Sequence, residues 1–542
     1  MTDLTPGAGR RFNLLRPACW TACLAAMSLS AAPAWSAEAG AAALPAFNVY
    51  QYVVGGNSVL DALTIEAAVT PFLGLGTTLR EVEGARAALE KAYHDAGYLT
   101  VAVAIPDQAV DSGEVSLQVV EAVIDRLKVK GAEYTLPSKI KSGVPELAEG
   151  SVPNFNVLQA QLALVNRGGD ARITPVLRAG HLPGTVEVQL DVDDQLPLHG
   201  SIDLSNRQTA NTTATRLSAA MRYDNLWQRG HSLGLTLQAA PQRPSDARVA
   251  ALTYVLPSGR GSDAWSTYWV HSRSDFASLS SAPGLGLLGN SDTVGLRYTA
   301  PLGADGEASQ TLAGGVDYKN VQQTIKVAGG SSSNTAIIYL PLVASYNAAL
   351  FGAQRNSALD LILTVGLRGF FGNSDAKFEA KRSGASANYL ALRAGLQHSE
   401  PFGRWLLAGR VDSQIATGPL VPNEQMVAGG AESVRGYLEA ERSGDLGLRA
   451  TLELRTPAYS PAGAASAWRL GGLAFIEAAR LKTLQPVAPQ AGRGSLAGTG
   501  VGLRLTAPRG LSLELDLARA LVDGDSTRAG DSRLHARAVW GY

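Results

Sequence analysis

The amino-acid sequence predicts an all-β transmembrane barrel of about 16 antiparallel strands, preceded by two small α/β domains. From about residue 198 onward, apolar and polar residues alternate in segment after segment, separated by connections rich in Gly, Ser, Asp and Asn. Upstream of that point, one βα…ββ order of elements occurs twice. Charged residues make up only 17% of the chain, against roughly 25% in ordinary soluble domains.

The overall composition excludes several classes of protein. The 47 basic and 47 acidic side chains balance, whereas a nucleic-acid-binding protein would carry a basic excess or stripe. A hydrophobic content of 46% is enough to form a core, which argues against disorder. Beyond the N-terminus there is no run of about 18 apolar residues of the kind that forms a transmembrane helix. A neutral, β-rich protein with 58 glycines remains.

The first 36 residues have the features of a signal peptide. Three arginines (Arg10, Arg11 and Arg16) precede an alanine-rich apolar segment at 18–32, and small residues at 32–36 offer a cleavage site. Both cysteines of the chain lie in this segment, so the mature protein is expected to contain no disulfide. The linker over 37–46 is too short to form a helix that also reaches into the barrel, because about ten residues span at most roughly 33–36 Å. We therefore expect export from the cytoplasm, and we expect no helix from this linker inside the barrel.

The two α/β domains are predicted at 47–122 and 123–195. In the first, Thr78 and Glu81 form a capping box, and the apolar residues that follow recur at helical spacing. The second domain repeats this plan with a helix at 155–166. The predicted strands are 47–54, 99–105 and 115–120 in the first domain, and 124–129, 171–177 and 185–192 in the second. Exposed sheet edges allow such domains to bind an extended partner segment as an additional strand.

The barrel is predicted to occupy residues 196–542. A soluble sandwich would also alternate, but here one face is almost entirely leucine and valine while the other carries arginines and carboxylates, as at 446–455 and 511–517. An apolar outward face and a polar inward face are typical of a transmembrane barrel. About 16 strands of roughly 9–11 residues fit the available length, and the last segment ends on an aromatic residue. Six arginines on the polar face are the predicted pore lining: Arg222, Arg297, Arg368, Arg393, Arg449 and Arg504.

Motifs for catalysis are absent from the sequence. The seven histidines show no metal-ligand spacing, and there is no Gly-x-Ser-x-Gly elbow or phosphate-binding loop. A Gly-x-Gly-x-x-Gly run at 284–289 has no βαβ unit around it, and it is interpreted as a barrel loop. We expect no catalytic residue, no metal site and no cofactor, and we do not expect an enzyme.

One loop motif connects the chain to a known family. Val434, Arg435, Gly436 and Tyr437 lie between alternating strands, and this sequence resembles the sixth extracellular loop of the Omp85 superfamily of outer-membrane proteins. Two domains before one barrel resemble the two POTRA domains of the two-partner secretion transporters, the haemolysin and filamentous-haemagglutinin secretion/activation proteins. Further similarity to that family occurs at 96–100, 105–108, 119–121, 164–166, 183–185, 206 and 225–227.

The resemblance implies roles for particular residues. In the family, the loop arginine folds inward and pairs with the aspartate of a Phe-x-Asp-x-Gly motif on the barrel wall. The matching residues here are Phe475 and Glu477, with glutamate in place of aspartate and Ala479 in place of glycine. Pairing of Arg435 with Glu477 is expected, since an arginine inside a narrow lumen requires a charged partner. The alternative is that Arg435 lies in solvent on an outer loop.

The implied function is transport of a secreted exoprotein. An unfolded, β-helical client would add to a POTRA edge near Tyr98, Val119 and Leu162, and would then pass through the barrel to the cell surface. The resemblance places the barrel in the outer membrane of a Gram-negative cell, in contact with its lipid, and the POTRA domains in the periplasm. It also implies that the barrel-assembly machinery takes part in biogenesis and that the protein has no nucleic-acid partner. The alternatives are an Omp85-type assembly factor, although such proteins more often carry three or more POTRA domains, a passive porin and a barrel-embedded enzyme.

Overall fold

The computed structural model describes residues 46–542, except residues 111, 167, 259–262, 275–276, 279–285, 288–289, 306–307, 323–324, 327–331, 334–335, 353, 461–466 and 489. The predicted signal peptide, nearly all of the predicted linker and most of the 284–289 motif therefore lie outside the described residues. The chain forms two compact units, one made of residues up to Ala92 with Val103–Val119, the other of Tyr93–Ala102 with Val120–Tyr542. None of the described helices is long and apolar enough to cross a membrane.

The first α/β domain contains one helix that the sequence pattern did not predict, Ala62–Val69. Its N-cap is Asp61, whose Oδ1 accepts a hydrogen bond from Thr64 N at 2.9 Å. The helix that the sequence predicted after Thr78 lies at Leu79–Asp95, and the Glu81 carboxylate accepts a hydrogen bond from Thr78 N. The remaining elements are the strands Phe47–Val49, Gln51–Gly55, Gly74–Thr77, Ala102–Ala104 and Glu114–Val120 and the 3-10 helix Thr70–Phe72.

The second α/β domain is a three-stranded sheet with its helices packed around one apolar core. Strand Thr185–Asp194 lies in the middle, parallel to Val123–Lys130 and antiparallel to Ala171–Ala179. The helices are Pro137–Gly143 and Phe155–Val165, with the 3-10 helix Pro145–Leu147 between them. The two outer strands leave sheet edges to which a further strand could be added.

Sixteen antiparallel strands among the described residues close into the barrel. We label them β1 to β16, where β8 is interrupted. They are β1 Leu198–Ser205, β2 Arg216–Leu226, β3 His231–Ala239, β4 Ala247–Pro257, β5 Ala264–Ser274, β6 Ser291–Asp305, β7 Ala308–Val321, β8 Ile337–Tyr339 with Leu342–Phe351, β9 Asn356–Gly366, β10 Tyr389–Phe402, β11 Trp405–Ala416, β12 Leu446–Arg455, β13 Arg469–Lys482, β14 Arg493–Thr506, β15 Leu511–Ala520 and β16 Ser532–Gly541.

The period of two along each strand assigns side chains to an outward and an inward face. On β13, Ile476 is 55% exposed on the outward face, whereas the neighbouring Phe475 and Glu477 are buried on the inward face. The second α/β domain leads directly into β1, so the odd-numbered strands begin, and the even-numbered strands end, at the same end of the barrel. Long connections at 367–388 and 417–445 lie at the opposite end.

The barrel closes where β16 pairs with β1. This ladder is short, running from Arg537 opposite Ser205 to Gly541 opposite Ser201. The side chain of Asn206 extends it, because Nδ2 donates to Leu534 O at 2.7 Å and Oδ1 accepts from Ala536 N at 2.9 Å. The asparagine amide thus adds to the backbone hydrogen bond from Asn206 N to Ala536 O at this seam.

Candidate functional site

The connection between β11 and β12, residues 417–445, folds into the barrel instead of extending away from it. We call it the inward loop. It contains the 3-10 helix Pro422–Glu424 and a short hairpin in which Met426–Ala428 pairs with Arg442–Gly444. Between the two strands of this hairpin lies the motif Val434–Tyr437, whose four residues are all buried.

Glycines allow the tip of the inward loop to lie against the barrel wall. Gly436 has φ +100°, a conformation that favours glycine, and a Cβ there would lie 2.9 Å from Ala520 N at the end of β15. On the wall, a Cβ at Gly498 of β14 would lie 2.1 Å from Arg435 O. Loop and wall therefore approach backbone to backbone at this contact.

Arg435 is the polar centre of that contact and is only 3% exposed. Its Nε and Nη2 donate to Glu477 Oε1 at 2.9 and 2.6 Å, and its backbone N donates to Glu477 Oε2 at 2.6 Å. Nη2 also donates to Glu453 Oε1 at 2.6 Å, and Nη1 lies 3.3 Å from Asp516 Oδ2. The guanidinium covers the ring of Phe475, with Cζ 3.4 Å from the ring centroid. One loop arginine thus joins strands β12, β13 and β15.

The wall supplies two further arginines to this cluster. Arg455 Nη2 donates to Glu453 Oε2 at 2.6 Å, and Arg504 Nη1 donates to Asp516 Oδ1 at 2.6 Å. Three arginines therefore face three carboxylates, and Arg435 is the member that comes from the loop. Without it, the wall would keep an uncompensated negative charge in a buried position, which is costly.

The other residues of the motif fix the same segment. The Tyr437 hydroxyl lies 2.6 Å from Val522 O and 2.9 Å from Ala497 O, so it bridges β14 and the connection after β15. Gly436 N lies 3.0 Å from His535 Nε2 on β16. Because a backbone N–H can only donate, this histidine nitrogen is the acceptor and carries no proton. Val434 is fully buried in an apolar cluster with Tyr437.

A second polar contact holds the inward loop on the other side of the barrel. Lys319 Nζ on β7 and the Tyr339 hydroxyl on β8 donate to Glu424 Oε1 at 2.6 and 2.7 Å. Arg393 Nη2 on β10 donates to Glu424 O at 3.0 Å. Burial raises the pKa of the Glu424 carboxyl, but the charges of Lys319 and Arg393 outweigh that effect and hold the pKa below its ordinary value. The loop is thus fixed to strands β7, β8 and β10 through Glu424 and to strands β12, β13 and β15 through Arg435.

A third contact ties the end of the inward loop to neighbouring connections. Asp445 is fully buried and pairs with Arg382 of the connection after β9, with Nη2 2.6 Å from Oδ2. Leu420 N and Leu484 N donate to the same carboxylate at 2.9 and 2.7 Å. Burial raises the pKa of Asp445, but the hydrogen bonds from Arg382, Gln425 and these amides outweigh it, so the pKa is lowered and the carboxyl is ionised.

Five of the six arginines predicted to line the pore lie on the inward face of barrel strands. Each has a polar partner on the wall: Arg222 with Asp224, Arg297 with Asp317, Arg393 with Gln414, Arg449 with Asp412 and Arg504 with Asp516. The structure differs at Arg368, which follows the end of β9 and pairs with Asp375 at 2.6 Å within the connection 367–388. The alternation that identified the other five ends at Gly366, so Arg368 does not belong to the barrel wall.

Of the three residues predicted to lie near a client-binding edge of the POTRA domains, one is buried in a core and two are partly buried. Val119 is 2% exposed and points into the core of the first domain. Leu162 packs against the core of the second domain from helix Phe155–Val165. Tyr98 follows helix Leu79–Asp95 and is half-buried. Sequence periodicity places apolar residues on a face, but the packed face and the exposed face of a small domain can both be apolar.

Sequence reasoning also missed a group of possible metal ligands. Among the described residues, Asp170, His199 and Asp224 bring their ligand atoms within 4.8 Å of one another, where the second domain meets the barrel. His199 Nε2 lies 2.9 Å from Asp170 Oδ1, and Arg222 Nε donates to Asp224 Oδ2 at 2.9 Å. The group is thus already held together by polar contacts within the protein. Its members are far apart in the sequence, and no spacing rule could have found them.

A closed barrel with an apolar outward face, α/β domains before it and a charged loop fixed inside its lumen defines an outer-membrane transporter of the Omp85 type. Comparison with known proteins identifies the group within that class. Residues 184–505 match the family described as haemolysin secretion/activation protein ShlB/FhaC/HecB, and residues 47–122 match the ShlB-type POTRA domain. The chain belongs to this haemolysin secretion/activation family.

Individual relatives agree with that assignment. The chain is 23% identical over 417 residues to the outer membrane transporter CdiB of Escherichia coli O6:K15:H31 (strain 536 / UPEC), an alignment that covers 74% of this chain and 68% of the relative. The structure of CdiB from Escherichia coli superposes with a TM-score of 0.60 at 19% identity, covering 94% of this chain and 93% of that one. BamA from Haemophilus ducreyi lacking POTRA domains 1–3 gives a TM-score of 0.53 at 13% identity, covering 92% and 100%.

These findings establish a two-partner-secretion outer-membrane transporter, with its POTRA domains in the periplasm. The barrel end that joins the second domain is therefore periplasmic, and the opposite end is extracellular. The inward loop belongs to the extracellular end and folds back into the lumen from there.

Proposed function

We propose that the barrel passes an unfolded exoprotein from the periplasm to the cell surface and that the inward loop closes the pore until a client arrives. The observation that carries this proposal is the buried cluster in which Arg435 of the loop contacts Glu477, Glu453 and Asp516 of the wall. Polar contacts of this kind are reversible, because each partner can be rehydrated when the loop leaves. The inward-facing arginines and carboxylates then line a polar path for an extended chain.

Client recognition is proposed to occur at the sheet edges of the POTRA domains. In the second domain, Val123–Lys130 and Ala171–Ala179 are outer strands, and an extended client segment could pair with either. We infer a β-rich client whose folding outside the cell draws the chain outward, since the sequence contains no phosphate-binding loop. Transport on this proposal requires no catalysis, cofactor or metal. The outer-membrane lipid and the barrel-assembly machinery remain the proposed further partners.

The test is a comparison of the culture medium and outer-membrane proteomes of cells with the gene, without it, and with the Arg435→Ala variant. Loss of one large exported protein from the medium, with other outer-membrane barrels unchanged, is expected in the deletion. The Arg435→Ala variant should reproduce that loss while its own barrel stays as abundant as the wild type, because a loop that no longer docks on the wall lets ions pass but stays in the path of the client chain. Normal secretion by this variant would exclude the proposed role of Arg435. A broad fall in other barrels would indicate an assembly factor instead.

A further inference from the structure

On the outward face of the barrel, a group of cationic side chains lies near the extracellular ends of three neighbouring strands. Arg480 and Lys482 near the end of β13, Arg493 at the start of β14 and Arg519 near the end of β15 are all exposed. Their register places them on the same face as the exposed Ile476 and Val501, which is the face directed at lipid. We call these four residues the cationic patch.

All four residues lie towards the extracellular ends of their strands. Arg480 is eleven residues from the periplasmic start of β13, which corresponds to about 28 Å along the membrane normal at about 3.3 Å per residue and a tilt of about 40°. Outward aromatic residues mark the opposite boundary, since Trp405 and Trp540 lie at the periplasmic ends of β11 and β16. The apolar band of such barrels is about 25 Å tall. The cationic patch is therefore at the level of the outer-leaflet headgroups.

The cationic patch carries no compensating charge of its own. The outward positions on the extracellular halves of β13, β14 and β15 hold no carboxylate, and no ion pair to these four residues occurs in the described part of the chain. Lys482 and Arg493 stand directly opposite each other in the β13–β14 ladder. Like charges in that position destabilise a sheet unless an anion lies between them.

A second observation repeats the arrangement on the other side of the barrel. Arg248 of β4 and Arg273 of β5 are also exposed, outward-facing and directly opposite each other, again near the extracellular ends of their strands. Within the described strands, the outward arginines and lysines occur at this end of the barrel. A random distribution of surface cations would not favour one membrane boundary.

We propose that the cationic patch binds the phosphorylated headgroup of an anionic lipid of the outer leaflet. Guanidinium groups bind phosphate with two parallel hydrogen bonds, and Lys482 supplies a point charge beside them. The long side chains reach from the lipid-facing wall to the headgroup while their methylene groups stay in the apolar layer. The proposal concerns lipid binding and is independent of the proposed role of the inward loop.

The experiment measures lipid binding to the purified mature chain by native mass spectrometry. The probe is bis-phosphorylated lipid A, compared with the same lipid A after enzymatic removal of its phosphates. The test variant combines Arg480→Gln, Lys482→Gln and Arg493→Gln. The matched control removes three exposed arginines from periplasmic turns, through Arg229→Gln, Arg404→Gln and Arg509→Gln.

The wild type and the control should bind lipid A equally, and the test variant roughly a hundredfold more weakly, at about fivefold per lost charge. The dephosphorylated probe should bind the wild type as weakly as lipid A binds the test variant. Equal binding of lipid A by wild type and test variant, or equal binding of both probes by the wild type, would overturn the proposal. If the test variant does not assemble, Arg493→Gln alone should lose about fivefold while Arg493→Lys retains binding, and the absence of that difference would count equally against it.

Discussion

Replacing Arg435 by alanine is the most direct perturbation of the inward loop. Arg435 and Glu477 are each only 3% exposed, so solvent screening does not reduce their interaction. Removing one partner of a buried, hydrogen-bonded ion pair costs about 3–5 kcal/mol. At about 1.4 kcal/mol per tenfold change, the ratio of docked to undocked loop should fall by roughly two to three and a half orders of magnitude.

The assay is single-channel conductance of the purified full chain in a planar bilayer with KCl. The Arg435→Ala variant should spend a much larger fraction of time open than the wild type, because the loop no longer stays on the wall. Arg410→Ala is a matched control, since Arg410 lies on the same inward face and contacts Asp412 of its own strand. An Arg435→Ala channel that opens no more often than the wild type would refute the reasoning. The Arg435→Lys variant should have an intermediate open fraction, because one ammonium group cannot replace the planar set of N–H donors of the guanidinium.

Three further predictions concern the loop and the seam. Glu424→Gln should increase the open fraction by roughly tenfold or more, and combining it with Lys319→Met should add less than the sum of the single effects, because both remove one interaction. Gly498→Ala should also open the pore, since its Cβ would occupy the space of the Arg435 carbonyl oxygen. Asn206→Ala should lower the unfolding temperature measured by heat-modifiable mobility, because two hydrogen bonds worth about 0.5–1.5 kcal/mol each are lost.

Controls for these variants are available in the same barrel. Asp412→Asn changes an inward charge that is paired with Arg410 and Arg449 on the wall, and it should leave the open fraction nearly unchanged. Gly471→Ala adds a Cβ where no atom lies within 4 Å, so it should behave as the wild type. Strict additivity of the Glu424 and Lys319 variants, equal effects of the two glycine substitutions, or an unchanged melting temperature for Asn206→Ala would contradict the respective prediction.

The fold was largely predictable from the sequence because each barrel strand shows an alternation of apolar and polar residues. Alternation along 446–455 and 511–517 identifies a strand and its lipid-facing side without knowledge of the partner strand. The helix Ala62–Val69 was missed because eight residues are too short to display a clear helical period. Val119, which was predicted to lie near a client-binding edge, is a core residue, and a pattern of apolar residues does not distinguish the core from a docking surface.

The site was predictable only in part. The motif around Arg435 resembles a known loop, and that resemblance pointed to Glu477, which the structure places against the loop arginine. The glutamate has one more methylene than the aspartate of the family motif, and here its carboxylate reaches both the guanidinium and the backbone N of Arg435. Glu453 and Asp516 lie on the inward face by alternation, but their convergence depends on barrel register. Glu424 was missed because no local pattern indicates that a surface loop turns back into the lumen.

On the proposed function, the charges explain how the inward loop would be both firmly held and released. When the inward loop is docked, Arg435 completes a neutral set of three arginines and three carboxylates, while Glu424 neutralises Lys319 on the other side. When the loop leaves, one side of the lumen gains a net negative charge and the other side a positive one. Water that enters the open pore solvates both sides, so the cost of opening is far below that of exposing an apolar core. A passing chain would then meet opposite charges on opposite walls, which disfavours lasting attachment to either wall and suits transport of an extended polypeptide.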